Sequence, residues 1–523
     1  MEENQIIDLW NKFQFPDIDE KRKAEWFKYS LELISNLKTG NAGLIADTGT
    51  GKTIMTFLIL KALGIRTLFL TPTVILTEQH ADLYGRFINE KAAVVTGKKA
   101  KRDWKESRLT IATPHVFLAD RAKDLVNEKC FDLLIIDEMH KGQGEYPYVE
   151  VANLFNKQAK RILCLSASPG SSLEDIAWME KIYQIKNWVT ADIEKPDTKN
   201  CQVKVELSEE LVKVTPYFKK VYFETLKNLC EIFESQKQEI IIPLDGENPF
   251  LTQADNDKLG KLIDVLDKPE FYEAKYLFAR QYKLAYLYKI LITETYAAFL
   301  DYISLSLVKD KSKAAASILN DPEFRKVYSV IKNVQTQKLH PKEEALLDSL
   351  KEMKWKNKSA LVFVSSKNTA RYLSALVNLR GYASDVLLGG KDKSLKEQTR
   401  VIKEFSEQKL KIIFATSVVE EGLSLPDIDV VIHYNQPATE IARLQRGGRT
   451  GRFREGLVIF LIMNIPYEIA LYFATLAKLK KMKAIFYESS RQEVRESKSK
   501  ARKRKIDLTG QLTFAFPEDT LLF

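Results

Sequence analysis

Short apolar runs alternate with helix-patterned segments along the first 196 residues. The runs cover 42–46, 67–70, 92–95, 109–112, 131–136 and 161–166, and between them apolar positions recur every three or four residues. Runs of four to six residues suit buried strands, and the intervening pattern suits helices. Such alternation predicts a parallel sheet whose loops collect at the carboxyl ends of its strands. From about 196 to 340 the alternation stops. Between Phe271 and Asp321 fifty residues pass without Gly or Pro, while apolar and aromatic positions keep helical spacing, which predicts at least one long helix. Strand-like runs return as ALVFVSS at 360, KIIFAT over 411–416 and VVIHY over 430–434, with a helical segment at 396–405. The expected class is α/β, with a sheet domain over 1–196, a helical insert over 197–340, a second sheet domain over 341–490 and a tail over 491–523.

The length of 523 residues exceeds what one core organises. With 45% hydrophobic and 29% charged residues the composition is globular, and no run approaches the ~18 apolar residues of a membrane span. The N-terminus is acidic and lacks a signal layout, so a cytoplasmic location is expected. The four cysteines show no C-x-x-C pairing and are expected to be buried thiols. Formal net charge is +10, but residues 491–505 hold eight Lys/Arg and two Glu and so supply +6 of it. A nucleic-acid reading must therefore rest on motifs rather than on overall charge.

The strongest motif is Thr48-Gly49-Thr50-Gly51-Lys52-Thr53, placed between an apolar run and a helical segment as a phosphate-binding P-loop requires. The glycines let backbone N–H groups close on phosphate oxygens, Lys52 reaches the β/γ-phosphates, and the Thr53 hydroxyl can ligate Mg²⁺. About 85 residues on, Asp137-Glu138-Met139-His140 follows a buried run. An Asp there can hold Mg²⁺ and the next Glu can polarise an attacking water. The second sheet domain has no P-loop but carries QRGGRTGR over 445–452, whose arginines can meet the phosphates of a nucleotide held by the first. Trp26, Phe27 and Tyr29 precede the P-loop and can either stack on adenine or pack on the sheet. The insert's aromatics (Tyr276, Tyr282, Tyr286, Tyr296, Phe299, Tyr302) can stack on bases or form helix-packing core.

In order, the chain shows ADTGTGKT, TPTVILTEQH, Thr96-Gly97, ATPHVFLAD, LIIDEMHKGQGEYPY, LSASPG, LHPKEEAL, LVFVSSKNTA, KEQ, ATSVVEEGLSLPDID and QRGGRTGR. This set resembles a superfamily 2 helicase or translocase, and within it the archaeal Hef and Fanconi-anaemia-M group of fork-remodelling enzymes, over residues 25 to 490. The resemblance implies two RecA-like domains with ATP and Mg²⁺ between them and single-stranded nucleic acid across both. It implies that Lys52 and Thr53 hold phosphate and metal, Asp137 the metal and Glu138 the water. His140, Ser166 and Ser168 would couple cleft to nucleic acid, and Gln445, Arg449 and Arg452 would reach the γ-phosphate. Thr71, Thr113, Ser365 and Thr416 match positions that contact the strand backbone. The insert matches a thumb-like element associated with branched DNA.

The implied activity is an ATP-dependent DNA motor acting on forks in DNA repair, archaeal and nucleoid-associated. An RNA-directed helicase of the same superfamily and a junction-binding scaffold with little motor activity are the alternatives. The chain departs from the family at Ser30, where an adenine-reading glutamine is usual, at Ser424, where an aspartate is usual, and at Met139, where an alanine is usual. Hef often continues into an XPF-like nuclease, whose core motif this chain lacks, so no nuclease is expected. In the tail, 491–505 reads as a disordered basic arm. Gly510-Gln511-Leu512-Thr513-Phe514-Ala515-Phe516 partly matches the pegs that dock on a sliding clamp, or else folds back on the second sheet.

Overall fold

A computed structural model of the chain describes residues 3–12, 18–97, 104, 107–142, 144, 146–167, 173–235, 251, 253–352, 358–389, 395–416, 425–426, 428–451, 455–482 and 484. The tail, with its basic arm and clamp-like segment, lies outside them, as do Ser168, Ser424 and Arg452.

Two parallel sheets organise the chain. The first holds β1 (Asn41–Ala46), β2 (Thr67–Leu70), β3 (Ala93–Val95), β4 (Leu109–Ala112), β5 (Leu133–Ile136), β6 (Arg161–Ser166) and β7 (Ile185–Ala191). Their order is β3-β4-β2-β5-β6-β1-β7. Strands β1, β2, β4 and β5 are buried along their whole length, because helices cover both faces of a parallel sheet and leave no polar side. The P-loop helix Lys52–Leu63 and the helix Glu20–Thr39 pack on one face around Phe57, Leu33 and Trp26. The helix Pro147–Lys157 covers the other face with Tyr148, Val151 and Phe155.

The second sheet holds β8 (Thr198–Val205), β9 (Ala360–Phe363), β10 (Ser384–Leu387), β11 (Ile412–Ala415), β12 (Val430–His433) and β13 (Gly456–Met463), in the order β10-β11-β9-β12-β13-β8. Strand β8 corrects the expected boundary at 197. It pairs in parallel with β13 along its full length, from Thr198 against Gly456 to Val205 against Met463. The chain thus enters the second sheet, leaves it to build the insert, and returns. Pattern reading misses β8 because this edge strand, TKNCQVKV, is mostly exposed and has no apolar run.

The insert comprises the helices Glu209–Ser235, Gln253–Ile263, Glu270–Thr293, Tyr296–Tyr302, Lys313–Asn320 and Pro322–Gln335. Its core is continuous with the second sheet: Leu211, Phe218, Leu284, Leu291, Phe299 and Val327 belong to the same buried cluster as Ala360, Val362, Phe414, Ile432 and Leu461. Each such side chain contributes about 1.5–3 kcal/mol by leaving water, so the insert cannot detach without large exposure. The aromatics divide between the two expectations. Tyr296 and Phe299 are core, whereas Tyr282 and Tyr286 are exposed and Tyr276 lies under the Lys313 ammonium.

The return point is Leu339-His340-Pro341-Lys342-Glu343. His340 caps the helix Pro341–Glu352 by accepting from the Lys342 N–H at Nδ1 (3.2 Å), and Glu343 accepts from the His340 N–H (3.1 Å), a reciprocal capping box with proline at the first helical position. Because Nδ1 accepts, the ring proton sits on Nε2 and is donated to the Leu291 carbonyl (3.1 Å). Lys342 is fully buried and its ammonium meets Glu468 (2.8 Å) and the Tyr434 carbonyl (3.0 Å). The HPKE run is therefore a joint between insert and second sheet.

The cysteines depart from expectation. Cys164 is buried, Cys130 and Cys230 are half-buried, and Cys201 is exposed because it falls on β8.

Candidate nucleotide cleft and nucleic-acid interface

The P-loop leaves β1 and turns into its helix through Gly49 (φ 77°) and Gly51 (φ 102°). Both lie in the left-handed region that favours glycine. At Gly51 there is a second reason, since a Cβ would fall on the Trp26 indole. That indole donates to the Thr50 carbonyl (2.6 Å) and fixes the loop from beneath. Lys52 Nζ bonds the carbonyls of Ala46 (2.7 Å) and Asp47 (3.2 Å). Burial lowers its pKa, opposed by the charges of Glu138, Asp137 and Asp47, while the Arg449 guanidinium pushes it further down. Arg449, from the second sheet domain, is thus in electrostatic reach of the P-loop lysine. The Thr48 hydroxyl is buried without a hydrogen bond, against Gly448 of the second domain. An inward-facing ammonium at the first residue of the helix and an unpartnered hydroxyl four residues before it fit the phosphates of a nucleotide.

Beyond β5 the chain reverses through Glu138, held at φ 50°, ψ 51°. A non-glycine residue in this conformation costs on the order of 1 kcal/mol and marks a functional position when neighbours enforce it. Here the Glu138 N–H donates to Asp137 Oδ1 (3.0 Å), and His80 Nε2 meets Asp137 Oδ2 (3.0 Å). Met139 is fully buried beneath the turn, so its extra bulk relative to alanine is absorbed by packing. His140 Nδ1 lies 3.2 Å from Ser166 Oγ and 3.4 Å from Glu138 Oε2. Burial lowers the His140 pKa, the Glu138 charge opposing it, and the ring is neutral. Its Nε2 faces the Gln445 amide nitrogen at 3.4 Å. An amide nitrogen only donates, so His140 Nε2 accepts and the ring proton sits on Nδ1, toward Ser166 and Glu138.

The helix Glu440–Gly447, capped by Thr439, carries Gln445. Its opposite face is anchored on an aromatic ladder that crosses the interior strands β9, β12 and β13 of the second sheet. The Arg446 guanidinium lies 4.9 Å over Phe363, Phe363 stacks on His433 (5.8 Å), His433 on Phe460 (4.5 Å, 2° between planes), and Arg443 sits 4.3 Å from both Phe460 and Tyr472. Arg443 also donates to the Tyr472 carbonyl (3.1 Å). Arg443 and Arg446 are one turn apart and hold the helix, which turns Gln445 toward the first domain. At Gly448 the backbone meets the P-loop so closely that a Cβ would fall on the Thr48 side chain.

The remaining candidates fall as follows. Thr53 begins the P-loop helix. Tyr29 is in the core: its ring is covered by the Lys28 ammonium (5.0 Å) and its hydroxyl accepts from the Asp192 N–H (3.2 Å), which favours packing over stacking on a base. Ser30 is fully buried and donates to the Met55 carbonyl (3.3 Å), away from the cleft. Thr71, Thr113, Ser365 and Thr416 stand just past the carboxyl ends of β2, β4, β9 and β11. Thr71 is fully buried with its hydroxyl given to the Thr73 carbonyl (3.1 Å), Thr113 and Thr416 are nearly buried, and Ser365 is exposed.

Sequence reading named Trp26 without its role under the loop and missed two further contributors. His80 supports Asp137, Trp26 underpins the P-loop, and Lys195 pairs with Asp47 beside it (3.2 Å). His80 had a signal, as one of only five histidines, inside the TPTVILTEQH run.

Comparison with known proteins agrees with this architecture. Residues 12–171 match the family model described as type III restriction enzyme, res subunit, and 341–454 match the helicase conserved C-terminal domain. A Methanocaldococcus jannaschii protein named as an ATP-dependent RNA helicase is 29% identical over 84% of this chain and 58% of its own length. The ATP-dependent DNA helicase mph1 of Neurospora crassa is 26% identical over 83% of this chain and 41% of its own. The crystal structure of the Pyrococcus furiosus Hef helicase domain aligns with TM-score 0.61 and 25% identity, covering 86% of this chain and 97% of that one. The chain spans about half the length of the curated relatives it matches. It carries the two RecA-like domains of a superfamily 2 helicase and resembles the helicase part of the Hef and Fanconi-anaemia-M group. Among the described residues no helix is long and apolar enough to cross a membrane.

Proposed function

We propose that this chain is an ATP-dependent DNA helicase or translocase that acts on forked or branched DNA. The observation that carries the motor reading is the His140–Gln445 hydrogen bond, which joins the acidic turn of one sheet to the arginine helix of the other. Lys52 and the P-loop amides hold the triphosphate. Glu138, held by its strained turn, takes the proton of the attacking water, and Arg449 stabilises charge on the transferred phosphoryl group from the opposite domain. Thr53 and Asp137 would hold Mg²⁺, which would supply neutralisation of phosphate charge. Among the described residues no group of three or more His, Cys, Asp or Glu forms a metal cage, as suits an ion that relies on one or two carboxylates, phosphate and water. Cleft opening after hydrolysis breaks the His140–Gln445 contact, and through Ser166 the change reaches the strand-end loops.

DNA as the substrate is favoured by the mph1-type relatives, and branched DNA by an insert fused to the second sheet. The test is ATPase rate with no nucleic acid, single-stranded DNA, a fork, a four-way junction and RNA. Strongest stimulation by fork or junction DNA is expected. Preferential stimulation by RNA would assign the RNA reading, and no turnover with tight junction binding would assign a scaffold.

A further inference from the structure

A buried carboxylate that the ATP chemistry does not use lies between the insert and the second sheet. Glu294 occupies the corner between the helices Glu270–Thr293 and Tyr296–Tyr302. It is 5% exposed. One carboxyl oxygen bonds the Ser365 hydroxyl, and the other accepts from Thr369 Oγ1 (2.6 Å). The corner is bolted down from the strand ends as well. Tyr434 donates its hydroxyl to the Glu294 carbonyl (2.7 Å), and Asn435 donates to the Thr293 carbonyl (3.0 Å) while accepting from the Ser365 N–H (2.9 Å). The loops after β9 and β12 and the insert corner thus form one closed ring of hydrogen bonds. Ser365 is its exposed member.

We infer that Glu294 is a positioning residue that sets the Ser365 hydroxyl for a nucleic-acid phosphate and so ties strand occupancy on the second sheet to the helical insert. The inference rests on the nucleic-acid reading above. The chemistry is a choice of donor. A protonated Glu294 donates to Ser365 Oγ and leaves the serine proton for a phosphate oxygen. An ionised Glu294 accepts the hydrogen bond of the serine hydroxyl, which then has no proton for a phosphate, and sets a buried negative charge behind it. Burial raises the Glu294 pKa, against Ser365, Thr369, Lys342 and Lys289, which favour the anion. The phenols of Tyr286 and Tyr434 complete the titratable surroundings.

The experiment uses the full chain and measures ATPase rate against the concentration of a single-stranded oligonucleotide, with melting temperature recorded for each variant. Glu294→Ala should raise the half-saturating DNA concentration about three- to tenfold, with turnover at saturating DNA changed much less. Glu294→Gln can donate to Ser365 and accept from Thr369, so it should keep tight half-saturation. Wild-type half-saturation should rise with pH as Glu294 ionises, and Glu294→Gln should be flat over the same range. Combined with Ser365→Ala, Glu294→Ala should add nothing. If the alanine variant melts early, the pH comparison of Glu294→Gln with wild type decides. Equal pH profiles for those two, or unchanged half-saturation in a stable alanine variant, overturn the inference while leaving the motor reading intact. A wild type stimulated by no nucleic acid overturns the proposed function and this inference with it.

Discussion

Gln445 donates its amide to the His140 ring across the cleft, and this one bond fixes the tautomer by which His140 addresses Glu138 and Ser166. Gln445→Glu puts an acceptor where His140 also accepts. Stimulated ATPase at pH 8 should fall about 10²-fold, the scale of a misplaced catalytic group. It should recover in part toward pH 6, because protonated His140 can then donate to the new carboxylate. A flat pH response of the variant would separate Gln445 from His140.

The nucleotide residues should divide by step. Lys52→Ala should lose nucleotide binding and hydrolysis together, whereas Glu138→Gln should keep binding and lose turnover. Arg449→Ala should lower turnover by about 10³-fold if this guanidinium stabilises the transferred phosphoryl group. Undiminished stimulated ATPase in Arg449→Ala, beside normal nucleotide binding by titration calorimetry, would remove Arg449 from the site. Arg446→Ala should act differently, lowering the melting temperature by unseating its helix from Phe363.

Buried titratable groups make stability depend on pH in two opposed ways. Burial lowers the pKa of His340 to about 3 and that of His433 well below the ordinary value. The unfolded state therefore takes up their protons first, and stability is lost as pH falls below about 6.5, by up to ~1.4 kcal/mol per unit for each ring. Burial raises Glu343 to about 7, so its contribution is present below pH ~4.5 and is lost as pH rises toward 7. Glu343→Gln keeps the capping box and should gain about 2–3 kcal/mol over wild type at pH 8, with no gain near pH 4.5. His433→Phe keeps the ladder and should flatten the acid limb. Chemical denaturation from pH 4.5 to 8 reads both.

Removing the insert should fail at the boundary that patterning suggests. A deletion of 200–338 takes away most of β8 and uncovers the face of the second sheet that Leu284, Leu291 and Phe299 bury. Loss of cooperative melting for the second domain is expected. A shorter deletion that retains 198–208 should still expose that face. Either variant melting like wild type, with basal ATPase retained, would show that the insert folds separately.

Much of this protein is legible without coordinates. The α/β class, both sheets and the candidacy of Lys52, Asp137 and Glu138 follow from local rules: apolar runs make buried strands, and phosphate chemistry demands its residues at fixed short spacings. His140 and Gln445 are named only through the family resemblance. Tertiary structure decided what depends on partners far apart in sequence. Strand β8 is held by pairing with β13, some 258 residues away, rather than by any pattern of its own. Trp26 and His80 stand out in sequence, one as an aromatic ahead of the P-loop and the other inside TPTVILTEQH, but their roles under the loop and behind Asp137, like that of Glu294 behind Ser365, are created by burial and hydrogen bonding across elements. The same is true of the arginines in QRGGRTGR. Composition marks them all as phosphate ligands, yet the ladder of Phe363, His433 and Phe460 takes Arg446 as an anchor, while the Arg449 charge is felt at Lys52.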